Sequence, residues 1–272
     1  MVLKEFDKNI SQLSIKKIMK KTVLGIFAHP DDAEILCAGT LTLLKNAGWS
    51  VHIATLAPGD KGTAEYSRDE ISLIRKKEAT ESAKIIDATY HCLEFEDAYI
   101  LYDRESINKT SALVRRIKPS VVFTSPSSDY MLDHEMTSLL VQTACFCAGM
   151  KNLEVDEEPF EPVPYLYYCD PLEGKNKLGT LIEPSIYVDI TSAISTKTKM
   201  LECHKSQRNW LKEHHKMDEY ILSMQRFAKK RGKEANTEYA EGFMQHLGHG
   251  YPQNNILKDI LPGFIPGKIT DK

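Results

Sequence analysis

Hydrophobic positions along this chain follow two rhythms. Short continuous apolar runs recur, and between them apolar residues return every three or four positions. The runs predict buried strands at 21–28, 50–57, 89–95 and 120–125, with later ones at 165–170 and 185–190. The wider spacing predicts helices over 33–48, from Ser67 through Ile71, Ile74, Ala79 and Ile86, over 105–118, and over 133–150. Ser67 with Glu70 three residues on is a capping box. Gly48 is a helix stop, and Pro58 to Gly62 is a loop by composition. Strand–helix alternation of this kind implies parallel strands joined by right-handed crossovers. The expected fold is therefore α/β: a Rossmann-like, layered, mostly parallel sheet with helices on both faces. From Thr191 the pattern turns helical and more charged, with two or three amphipathic helices expected over 204–247 and a Pro- and Gly-containing tail over 248–272. The expected organisation is an N-terminal extension (1–20), a Rossmann-like domain (21–190) and a helical C-terminal region with its tail (191–272) packed on the same domain.

Composition narrows the partners. The 272 residues carry 35 basic and 38 acidic side chains, a net charge of -3, which argues against a general nucleic-acid binder. The longest apolar stretch, 139–150, is interrupted by Gln142 and Thr143 and is too short to span a bilayer, so no integral membrane segment is expected. The Lys-rich start lacks the apolar run of a secretory signal, and the cytoplasm is the expected location. Six scattered cysteines, none in a CxxC pair, read as reduced core residues.

Candidate chemistry sits where parallel sheets usually bind ligands, beyond the carboxyl ends of strands. The first strand runs into Ala28-His29-Pro30-Asp31-Asp32-Ala33-Glu34, and the fourth into Ser127-Ser128-Asp129-Tyr130-Met131-Leu132-Asp133-His134. His29 and Asp32, three apart at a strand-to-helix turn, can point at one centre, and His134 can complete a set of two His and one carboxylate. Three ligands with an open position suit catalytic zinc, and the same set suits non-haem Fe(II). Asp31, beside a ligand, is then free to take a proton from an attacking water. The plainer alternative is that Asp31 or Asp32 only caps the following helix. Other motifs fail: there is no GxGxxG after the first strand, Ser138 breaks the HExxH-like string begun at His134, and no GxSxG elbow occurs. His204 and His215, on one predicted helix face, read as structural. So do His52 and His91 within strands.

The AHPDDAE string, the Asp133-His134 pair, the Cys37-Ala38-Gly39-Thr40 continuation and the run Arg75 to Ala79 together resemble the PIG-L/LmbE-like N-acetylglucosaminyl deacetylases over roughly residues 21–190. The resemblance implies His29, Asp32 and His134 as zinc ligands and Asp31 as general base. It implies Arg75 as a substrate-binding arginine, Asp133 as the acid that orients a catalytic group, and Asp129 as a polar residue lining the pocket. One position departs. The family commonly reads HPDH, its first His stabilising the oxyanion, whereas this chain has Met131-Leu132-Asp133-His134, and methionine cannot donate. Replacement donors are His249, or second His246, reaching a pocket of the same or a neighbouring subunit from the C-terminal arm; otherwise zinc, Arg75 or Tyr130 serves. The plainer alternative leaves both histidines capping a helix or facing solvent. The expected function is a hydrolase with one Zn2+ per chain, or another divalent metal, removing an acetyl group from an N-acetylated sugar or sugar conjugate. A homo-oligomer is possible. The alternatives are a non-catalytic metal-binding Rossmann-like protein and a 2-His-1-carboxylate Fe(II) enzyme.

Overall fold

The computed structural model describes residues 20–208 and 220–266. The Lys-rich N-terminal extension, His215 and the end of the C-terminal tail lie outside the described residues. Seven strands form one sheet in the order β3-β2-β1-β4-β5-β7-β6. They are β1 (Thr22–Phe27), β2 (Ser50–Thr55), β3 (Thr89–Cys92), β4 (Val121–Thr124), β5 (Tyr165–Cys169), β6 (Ile186–Asp189) and β7 (Ala240–Gln245). The first five in spatial order are parallel, and β7 runs antiparallel to both β5 and β6. The mostly parallel sheet matches the expected fold.

The helices are α1 (Asp32–Leu36), α2 (Ala38–Asn46), α3 (Arg68–Ile85), α4 (Arg104–Ile117), α5 (Leu132–Cys147), α6 (Ile194–Leu201), α7 (Tyr220–Glu234) and α8 (Leu257–Ile260). The expected single helix after β1 is two, broken at Cys37, whose φ of -144° is not helical. The capping box of α3 forms as read: Ser67 N donates to Glu70 Oε2 at 2.9 Å, and Glu70 N donates to Ser67 Oγ at 3.4 Å. Side chains alternate across the pleat. Val23, Phe27, Val121 and Phe123 pack on one face with Leu41 and Val51. Leu24, Ile26 and Val122 pack on the other with Leu113 and Leu140.

The C-terminal region is not wholly helical, which corrects the expectation for 204–247. Residues 240–245 form β7, wedged between β5 and β6. Its burial runs almost unbroken, as suits an inner strand covered on both faces, and gives no period-two signal to read. Glu241 on β7 is buried and accepts from Gly39 N at 2.9 Å, Thr40 N at 2.7 Å and Lys197 Nζ at 2.6 Å. That carboxylate satisfies orphan donors of the first turn of α2. The chain beyond residue 190 is thereby tied into the same sheet.

Candidate active site

Strand order reverses between β1 and β4, since β2 lies on one side of β1 and β4 on the other. Their carboxyl ends open the crevice in which such sheets bind ligands. The β1 end delivers His29, Asp31 and Asp32, and the loop after β4 with the first turn of α5 delivers Asp129, Tyr130, Met131, Asp133 and His134. The two strings meet. One ligand atom each from His29, Asp32 and His134 lies within 4.8 Å of the others. His29 Nδ1 is 3.9 Å from Asp32 Oδ2, and His134 Nε2 is 3.4 Å from Asp32 Oδ1.

The opposite ring nitrogens are held by carboxylates. His29 Nε2 lies 3.1 Å from Asp133 Oδ2, and His134 Nδ1 lies 3.0 Å from Asp129 Oδ1. With those nitrogens as donors, His29 Nδ1 and His134 Nε2 carry the lone pairs toward one centre, as in carboxylate–histidine–metal sites. The carboxylates are fixed in turn: Ala98 N donates to Asp133 at 2.7 Å, and Met131 N donates to Asp129 at 3.0 Å. Asp97 adds a further carboxylate, 3.9 Å from His29 Nε2, and accepts from Gly59 N and Lys61 N. Two imidazoles and one carboxylate with outer carboxylate partners are a donor set that fits zinc or another first-row divalent ion. Burial opposes the charge on Asp32, but His134 and His29 outweigh it and hold its carboxyl well below the usual range. The same carboxylates, Asp32 and Asp129, lift His134 well above the usual imidazole value against its burial.

Asp31 is not a helix cap. It occupies the residue before α1, yet its side chain makes no capping hydrogen bond. Its φ of 101° is left-handed, a conformation that costs a non-glycine residue about 1–3 kcal/mol. The side chain instead meets Tyr220 from α7: Tyr220 Oη donates to Asp31 Oδ2 at 2.5 Å. Arg75 Nη2 stands 3.7 Å from Asp31 Oδ1 and donates to Pro30 O at 2.7 Å. Burial pushes the Asp31 carboxyl up, with Arg75 and Tyr220 partly offsetting it. Arg75 is itself buried, and its Nε has no hydrogen-bond partner, as also Gln207 Oε1; both residues line the cavity. Gly59, at φ 80°, is required beside Arg75, because a Cβ there would collide with the guanidinium.

The cavity is about 1010 Å³ and is lined by the ligand-type residues, Asp31, Arg75, Asp133, Tyr130, Met131 and Tyr220. Asp129 is not at its wall: it is 2% exposed and spent on His134 and Met131, so it holds a ligand rather than lining the pocket. The C-terminal histidines are not brought there either. His246 Nδ1 is 2.9 Å from Tyr168 Oη, and its ring packs edge-on to Tyr251 at 4.2 Å. His249 is exposed, and neither lines the cavity. Tyr168 and Tyr251, packed in an apolar cluster on one face of the sheet, hold the His246 ring away from this chain's own cavity. His204 is buried, in keeping with a structural role, with Nε2 3.3 Å from Glu34 Oε1 in a contact without hydrogen-bond alignment. Sequence reasoning missed Asp97 and Tyr220. Asp97 follows β3 and was findable by the same strand-end rule, whereas Tyr220 lies on an amphipathic helix and carries no local signal.

Similarity to known proteins extends across this region. A family model described as PIG-L, GlcNAc-PI de-N-acetylase, matches residues 24–145. A probable N-acetyl-alpha-D-glucosaminyl L-malate deacetylase 2 of Bacillus cereus is 30% identical over 203 residues, 70% of this chain and 84% of that protein. The diacetylchitobiose deacetylase of Thermococcus kodakarensis is 29% identical over 200 residues, covering 69% of this chain and 70% of that one. Among solved structures, the 4-carboxy-2-hydroxymuconate hydratase of Pseudomonas putida shares the fold with a TM-score of 0.72 at 22% identity, over 87% of this chain and 100% of that one.

Proposed function

The chain belongs to the PIG-L (GlcNAc-PI de-N-acetylase) family, and we propose that it is a zinc-dependent hydrolase that removes an acetyl group from the amide nitrogen of an N-acetylated sugar or sugar conjugate. Fold alone does not choose this reaction, since a hydratase shares it. The observation that carries the reading is Asp31. It is a buried carboxylate next to a ligand-type residue, it is neither a cap nor part of the His29–Asp32–His134 group, and it is turned by Tyr220 and Arg75 into the same cavity. A site that only holds a metal has no use for such a group. The relatives named as deacetylases, near 30% identical, support the amide as the bond broken.

His29, Asp32 and His134 would hold the ion, with Asp133 and Asp129 setting the two ring orientations. When bound, a divalent ion there supplies Lewis acidity toward the substrate carbonyl and lowers the pKa of a water to about 7. Asp31 takes the proton from the attacking water and delivers it to the departing amine nitrogen. Tyr220 donates to Oδ2, so Oδ1 is the oxygen left for that transfer. Arg75 keeps the opposing charge close to the base and lines the same cavity, so its guanidinium is the first donor on hand in place of the histidine that Met131 replaces. Tyr130 lines the same cavity and is the second donor.

The test is acetate release from N-acetylglucosamine and N,N'-diacetylchitobiose by zinc-loaded protein, with Asp31→Asn alongside. Loss of a general base lowers kcat by about 10²–10⁴, and the variant is expected to keep its zinc. Near-normal turnover by Asp31→Asn would remove Asp31 from the chemistry. Zinc binding with no acetate release from any N-acetylated substrate would favour the non-catalytic alternative, and activity confined to the Fe(II)-loaded protein in the presence of oxygen would favour the oxygenase alternative.

A further inference from the structure

Asp60 is a buried carboxylate, 3% exposed, that neither lines the cavity nor belongs to the His29–Asp32–His134 group. It lies in the loop between β2 and α3 and is interlocked with Asp97 in the loop after β3. Asp60 Oδ1 accepts from Asp97 N at 2.9 Å. Asp97 in turn accepts from the backbone on either side of Asp60, from Gly59 N at 3.0 Å and from Lys61 N at 3.1 Å. Arg68 Nε donates to the other Asp60 oxygen, and Lys61 Nζ is 3.8 Å from it. Burial opposes the charge on Asp60, but the Asp97 N–H, Lys61 and Arg68 outweigh it and hold its carboxyl below the usual range.

The interlock bears on a strained turn. Residues 96–99 close on themselves, with Tyr99 N donating to Glu96 O at 3.0 Å. Ala98, the second central residue of that turn, has a φ of 66°, in the left-handed region that favours glycine. Such a conformation persists only where its surroundings over-determine it. Here two consecutive backbone donors are captured by carboxylates from two other segments: Asp97 N by Asp60, and Ala98 N by Asp133 Oδ2 at 2.7 Å. The same Asp133 oxygen is 3.1 Å from His29 Nε2. A line of contacts thus runs from Asp60 through the Asp97–Ala98 backbone to Asp133 and ends on His29. His134 is held separately, by Asp129 in the loop after β4, whose own backbone N donates to Glu135 at 3.0 Å.

We propose that Asp60 is a positioning residue of the metal site: by holding the Asp97 N–H it keeps Ala98 in its left-handed turn, so that the Ala98 N–H fixes the carboxylate that orients His29. The inference rests on the reading of His29, Asp32 and His134 as metal ligands. Asp60 acts on the His29 arm of the site and not on the His134 arm.

The test is zinc affinity, measured by chelator competition on the full chain. Asp60→Ala removes the acceptor and is expected to weaken zinc binding about three- to tenfold, less than loss of a carboxylate that touches a ligand. Asp60→Asn loses the charge but keeps an oxygen for the Asp97 N–H, and is expected to stay within about twofold of the wild type. In an Asp133→Ala background the effect of Asp60→Ala is expected to vanish, because the two residues act in series, and in an Asp129→Ala background it is expected to persist in full. Equal losses in Asp60→Ala and Asp60→Asn would make the effect one of charge, and additive losses with Asp133→Ala would make it a general loosening; either overturns the proposal. If Asp60→Ala does not fold, Asp60→Ser, whose hydroxyl is one bond shorter than the carboxylate, carries the same cycle. Nitrogen-15 shifts of the imidazoles in metal-free protein give a second readout. Asp60→Ala is expected to move those of His29 and leave those of His134 in place, and unmoved His29 shifts overturn the proposal. A wild-type protein that binds no zinc strikes the metal reading, while the shifts of the metal-free protein still decide the role of Asp60.

Discussion

Two pairs of neighbouring histidines in this protein share a spacing and differ in everything else. The His29 and His134 rings have centroids 5.6 Å apart, and those of His52 and His91 are 5.3 Å apart. Around the first pair stand Asp32, Asp129 and Asp133, each within 4 Å of a ring nitrogen. The second pair, at the sheet edge between β2 and β3, shares one 3.0 Å hydrogen bond, with Ser50 Oγ 3.3 Å from His52. Its surroundings reject a positive charge: burial, the neighbouring ring and Arg116 push His91 down to about 4, and burial lowers His52. Proximity of imidazoles thus does not make a cation site. Carboxylates do, because they compensate the charge and fix which nitrogen carries the lone pair.

The comparison can be broken most severely at the first pair. In His134→Ala the metal and the turnover are both expected to disappear, read by metal analysis and acetate release; full zinc occupancy in that variant would dissolve the assigned ligand set. Next comes the outer layer. Asp129→Asn keeps the size of the side chain but not its charge, and loss of such a partner weakens metal affinity by about 10–100-fold. Chelator competition measures this, and an unchanged Kd would mean that the carboxylate does not set His134. Tyr220→Phe removes one hydrogen bond to a buried carboxylate. A donor to a charged group is worth about 1.5–3 kcal/mol, so kcat is expected to fall by at least about tenfold with KM and zinc content little changed. A shift in KM alone would make Tyr220 a substrate contact instead.

The second pair predicts the smallest effect. Because the folded pKa of His91 lies below the ordinary value, protonation favours unfolding. Its contribution to stability is whole above about pH 6.5 and is lost as pH falls through about 4. Both rings are half-buried, and solvent screening reduces the effect to about 1–2 kcal/mol. Urea unfolding at pH 7 and pH 4.5 is expected to show a smaller acid loss in His91→Asn than in the wild type. An equal loss would locate the acid sensitivity elsewhere.

Much of this molecule was legible without coordinates. The strand–helix rhythm determined the α/β class and the order of the elements up to residue 190. The strand-end rule singled out two short strings, and the chain brings His29, Asp31 and Asp32 together with Asp133 and His134 because both strings leave adjacent parallel strands at the same edge. Such features are written in local spacing, which periodicity and turn chemistry expose. Tertiary packing alone decided the rest. It inserted β7 into the sheet, where burial on both faces erases the alternation that marks a strand. It gave His246 to Tyr168 rather than to the cavity, and turned Asp31 away from the helix it precedes. It also placed on that carboxylate a phenol 189 residues away in the chain. No local pattern specifies which distant segment closes over a site, because that choice is made by the complementarity of whole surfaces.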